Sequence, residues 1–129
     1  MKILKSLLPK NVYVKVYENR FVLKVLEEGA LPVTVNPTES FTTNRLLVGQ
    51  FAVAESALRK GIKDAFRSRW LSASPVVLIH PIEKVEGGLS EVEERVFREL
   101  AASAGARKVV VWTGPELSDA EAERLVSKT

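Results

Sequence analysis

Alternating apolar and polar positions open the readable part of the chain. From Asn11 to Tyr17, Val12, Val14 and Val16 fall on one side and Tyr13, Lys15 and Tyr17 on the other, the two-residue period of a strand. Glu18-Asn19 is a two-residue turn, after which Phe21, Leu23 and Val25 alternate against Val22, Lys24 and Leu26. Glu27-Glu28-Gly29 marks a second turn, and Leu31 to Val35 a third short strand. Pro32 suits an edge, since proline cannot donate to a ladder. The segment from Asn36 to Asn44 is polar and turn-rich and reads as a loop.

From about Gly49 the period becomes helical. Phe51, Ala54, Leu58, Ile62 and Ala65 or Phe66 recur at three- and four-residue intervals, with Arg59, Lys60, Lys63 and Asp64 facing away. Gly61 weakens that helix and marks close packing. Pro75 to His80 is a continuous apolar run, the pattern of a strand covered on both faces. Ser90 with Glu93 forms a capping box. Behind it, Leu89, Val92, Val96, Leu100, Ala101 and Ala104 form an apolar stripe that closes at Gly105. Lys108 to Trp112 is a further strand. Ser118 with Glu121 repeats the capping signal before a short helix carrying Ala122, Leu125 and Val126. The order β-β-β-α-β-α-β-α predicts an α/β fold with a mixed five-stranded sheet and helices on its faces, the ribonuclease-H-like arrangement on which the actin-like ATPase subdomain is also built. Order alone says nothing about activity.

Residues 1–129 are long enough for one domain, and 46% hydrophobic with 27% charged residues is a globular balance. The absence of cysteine excludes disulfides, thiolate metal sites and cysteine nucleophiles, and one histidine leaves few routes to a transition-metal site. No apolar run approaches the about 20 residues of a membrane-spanning helix. The start, Met1 to Pro9, is too short for a signal peptide, so a cytoplasmic protein is expected.

More specific are the blocks Leu46 to Leu58, Ser72 to Pro81 and Val92 to Val109. In the last, Glu93, Arg95, Arg98, Glu99 and the exit Ala104-Gly-Ala-Arg107 all fall in register. Over about two-thirds of its length the chain resembles MreB, the bacterial actin-like, rod-shape-determining family. The resemblance implies an actin-like nucleotide subdomain, but the chemistry-bearing loops depart from it. Where the family has an Asp-Leu-Gly-Thr-type phosphate turn, this chain has Val14-Lys-Val-Tyr-Glu-Asn-Arg20, with Lys15 at the place of the metal-associated Asp and no glycine. Gln50 replaces the acidic residue before the first helix, and the small subdomain shrinks to about Asn36 to Asn44. Without an amide cradle a triphosphate has little to offset its desolvation. The expectation is therefore a degenerate ATPase with no cofactor, a non-enzymatic domain acting through a protein partner or self-association in cell shape or the envelope.

Other constellations are weaker. A two-metal nuclease needs convergent carboxylates. The first and fourth strands offer none, and Glu55 reads as a solvated helix residue. His80, near Glu83 and Glu86, reads as structural or solvent-exposed, and Gly87-Gly88 as a turn. Arg59, Lys60, Lys63, Arg67 and Arg69, with Phe66 and Trp70, form the densest basic face, the basis of the alternative reading as a nucleic-acid-binding domain on a ribonuclease-H-like fold. In residues 1–9, Ile3, Leu4, Leu7 and Leu8 sit at helical spacing opposite Lys2 and Lys5. That suits a turn packed on the domain or a weak contact with the inner-membrane surface.

Overall fold

The computed structural model describes residues 10–66 and 74–128. Its elements are β1 (Asn11–Tyr17), β2 (Arg20–Val25), β3 (Val33–Val35), α1 (Phe51–Ala65), β4 (Val76–Pro81), α2 (Glu91–Ser103), β5 (Lys108–Val111) and α3 (Asp119–Ser127). The strands form one open mixed sheet in the order β3-β2-β1-β4-β5. β1 and β2 pair antiparallel, as do β2 and β3, whereas β1 with β4 and β4 with β5 pair parallel. The α/β class and the mixed five-stranded sheet expected from the sequence are both present.

Strand alternation decides which helix each strand residue meets. Val12, Val14 and Val16 of β1, Phe21, Leu23 and Val25 of β2, and Val77 and Ile79 of β4 share a core with α1 and α2. On the opposite face Tyr13, Val76, Leu78 and Val110 pack under Ala122 and Val126 of α3. β4 serves both faces, so every residue from Val76 to Pro81 is buried. The close approach read from Gly61 is real. A Cβ there lies 2.9 Å from both Leu23 Cδ1 and Val35 Cγ2.

Both capping boxes form. Ser90 Oγ accepts from Glu93 N–H while the Glu93 carboxylate accepts from Ser90 N–H, and Ser118 and Glu121 repeat the exchange. The stripe read on α2 needs correction. Val92 is 72% exposed, and Phe97, absent from that stripe, is 3% exposed. The capping box starts the helix at Glu91, and about 100° per residue then puts Phe97, Leu100, Ala101 and Ala104 on the core side. Val92, five positions before Phe97, points about 140° away from it. β3 also begins later than expected, at Val33, with Pro32 ahead of it and Leu31 in solvent. β5 ends one residue early, although Trp112 N–H still donates to Ile79 O.

Candidate functional site

Because β1, β4 and β5 are parallel, their carboxyl ends converge with the β1–β2 turn and the loops after β4 and β5. In open α/β sheets ligands bind at this end. Asn19 organises the turn. Its φ of 53° is the left-handed conformation that asparagine tolerates better than most residues. Its Oδ1 accepts from Ser40 Oγ at 2.8 Å and from the Phe41 and Thr42 amides, both at 2.9 Å. Its own amide donates to Thr42 Oγ1, which in turn donates to Leu47 O. The neighbouring amide of Glu18 donates to the Glu83 carboxylate at 2.6 Å. Both turn amides are thus held by the protein's own oxygens. Phe41 is drawn into the core and stacks on Phe21 with ring centroids 4.8 Å apart.

Lys15, next along the same edge of the site, reaches Glu116 at 3.2 Å. Beneath it lies His80, 1% exposed and the one buried polar side chain among the described residues. Tyr13 Oη and His80 Nδ1 are 2.7 Å apart, His80 Nε2 is 2.9 Å from Gly114 O, and Leu117 N–H donates to Tyr13 Oη. A carbonyl can only accept, so Nε2 carries the ring proton and Nδ1 accepts from the phenol. The chain of bonds fastens the β5–α3 loop to the sheet, and His80 is structural rather than exposed. Burial lowers the imidazole's pKa from its ordinary 6.5, against the raising effect of its bond to Gly114 and of Glu116; Lys15 lowers it further. Burial likewise raises the Tyr13 phenol above its ordinary 10.0.

These directions set the pH dependence of folding. The native state disfavours protonated His80, so its stabilising contribution is complete above pH 6.5 and is lost as the unfolded chain takes up the proton below it. Tyr13 stays protonated in the fold, so its contribution is complete below pH 10 and falls above it. Urea midpoints measured from pH 5 to 11 should form a plateau with a shoulder on each side. In Tyr13→Phe the alkaline shoulder should shrink, and an unchanged alkaline slope would count against this account.

On the α1/α2 face of the same end lies a small cavity of about 40 Å³, lined by Leu46, Val85, Leu89, Val92, Val96 and Phe97. Lys84 and Glu93 are its charged margin, and Lys84 Nζ donates to Asn44 O. Leu46 and Val92, two of the three large apolar side chains left exposed among the described residues, border it. The arrangement can receive an apolar side chain. The alternation rule misses this patch because Leu46 lies in a loop and Val92 was assigned to the core.

The basic face lies elsewhere. Arg59 donates to Ser103 O and pairs with Glu55 at 3.7 Å, and Lys60 lies 3.8 Å from Asp64, both on α1. Lys63 is exposed. Arg67, Arg69 and Trp70 fall outside the described residues, as do Ile3, Leu4, Leu7 and Leu8. Among the described residues no three His, Asp or Glu side chains come together as a metal site, and no helix is long and apolar enough to cross a membrane. Gly87 and Gly88 make the turn into α2, both at positive φ.

No family model matches the chain. A protein of Escherichia coli (strain K12) named "Uncharacterized protein YjaA" is 32% identical over 102 residues, covering 75% of this chain and 78% of that protein. The chain belongs to the YjaA family. For this YjaA-family chain the likeness brings no ligand or partner with it, so the site must speak through its own geometry.

Proposed function

We propose that the chain is a non-enzymatic, MreB-like domain on the ribonuclease-H-like plan that acts through protein contact, in the cytoplasm or at the inner face of the membrane, in service of cell shape or the envelope. The three-strand meander followed by alternating helices and strands supports the plan. One observation carries the loss of nucleotide chemistry: the amide of Glu18 is held by the carboxylate of Glu83. An approaching phosphate meets a negative charge already seated on the turn, and Lys15 is already paired with Glu116. Isothermal titration with magnesium-ATP should give no binding heat, and micromolar affinity would overturn the reading.

Contact is assigned to the apolar cavity and its exposed rim, since an apolar hollow bordered by Leu46 and Val92 favours a side chain over a phosphate. A photo-crosslinking residue at Val92 should capture a partner in the source cell. Leu46→Glu, probed by the same crosslinker, should reduce the product about tenfold or more. Being partly exposed, that substitution should leave thermal stability nearly unchanged. Capture that is insensitive to Leu46→Glu would remove the cavity from the argument. The nucleic-acid reading is less favoured, because Arg59 and Lys60 have carboxylates beside them on α1.

A further inference from the structure

Among the described residues the sheet ends at β3, on the side away from the parallel strands. The hairpin fixes which backbone groups of β3 point outward. A two-residue turn makes Tyr17 and Arg20 a hydrogen-bonded pair, and such pairs then alternate along an antiparallel ladder. The bond from Leu26 N–H to Asn11 O falls in the same phase. Arg20, Val22 and Lys24 therefore aim their backbone groups at β1, and Phe21 and Leu23 aim theirs at β3. Phe21 pairs with Val35 and Leu23 with Val33, which turns the N–H and C=O of Thr34 away from the sheet.

We propose that two copies of the chain pair through this edge, antiparallel about a twofold axis at Thr34, so that one sheet continues into the next. The groups are self-complementary, since Thr34 offers one donor and one acceptor and its twofold mate offers the same. Leu31 to Pro37 carries no charged residue, so no like charges meet at the axis. The pairing sets Leu31, 82% exposed, opposite Pro37 of the second copy. Beside the edge runs a groove of about 430 Å³ bounded by Val53, Ser56, Ala57, Lys60 and Asp64 of α1. Its helix wall bears one cation and one anion, Lys60 and Asp64, 3.8 Å apart, so the wall brings no net charge against its twofold mate. Pro32 and Pro37 confine pairing to the strand between them, and a twofold contact uses up the edge and closes the assembly. This surface is separate from the cavity at the carboxyl end, so each reading can fail without the other.

Sedimentation equilibrium of the full chain from micromolar to several hundred micromolar should show a reversible dimer. Thr34→Pro removes an N–H that faces away from β2, leaving the internal ladder intact. One bond is lost from each copy, and the dimer should weaken about thirtyfold. Leu31→Lys, at a solvent position, should weaken it as well and decides the matter should Thr34→Pro fold poorly. Val92→Glu should leave the dimer unaffected. A monomer at every concentration would overturn the proposal, and so would a dimer indifferent to Leu31→Lys and to a folded Thr34→Pro.

Discussion

Asn19→Ala is expected to lower stability by about 3 kcal/mol, far more than a usual hairpin-turn substitution. The side chain supplies a single oxygen to three donors on residues 40–42, and alanine supplies none. Ser40 is exposed and Thr42 half-buried, so water replaces some of what is lost, leaving about 2 kcal/mol. The left-handed backbone at φ 53° adds about 1 kcal/mol for alanine, which lacks the local polar group that lets asparagine tolerate it. Asn19→Gly relieves the second effect alone and should lie between. Asn19→Asp retains the acceptor and should stay within about 1 kcal/mol of the parent. Urea unfolding of the three variants tests this order, and an alanine variant within about 0.5 kcal/mol of the parent would show that the loop is held by something else.

His80→Ala is expected to be at least as damaging, by about 3–5 kcal/mol. It opens a cavity between two layers and strips partners from a buried phenol and a buried carbonyl. Tyr13→Phe keeps the ring and removes only the hydroxyl, so about 1–3 kcal/mol is expected. Because the two side chains share one bond, the double variant should be less destabilised than the sum by about 1 kcal/mol. Additive losses would mean that the 2.7 Å contact contributes nothing of its own. His80→Ala should also flatten the acid shoulder of the stability profile, since the group that titrates is gone.

Much of the architecture is readable from local pattern. The two-residue period of β1 and β2, the apolar run of β4 and the Ser-x-x-Glu caps each encode an element without long-range help. Gly61 shows its close packing because nothing else explains glycine inside α1. The stripe on α2 is misread because valine counts as apolar wherever it stands, and only the fixed start of the helix reveals that Val92 points outward. The site is less legible for a related reason. Tyr13 and His80 are 67 residues apart, and Glu18 and Glu83 are 65 apart. No spacing rule joins them, and their register appears only once β1 lies beside β4. A lone histidine ending an apolar run, and an asparagine at a hairpin turn, are the two signals that hint at those contacts.

The complete burial of β4 has a consequence for the chain before it folds. Pro75 to Pro81 holds no formal charge at neutral pH and is rich in β-branched residues, the composition that associates between unfolded chains. Its protection is late, because its neighbours β1 and β5 lie far away in sequence or beyond a helix. During synthesis or refolding this segment is open to association between copies. His80 is the one titratable group within it, so in mild acid the unfolded segment gains a positive charge that keeps copies apart. The residue whose neutrality secures the native sheet thus becomes, when charged, the gatekeeper of the unfolded one.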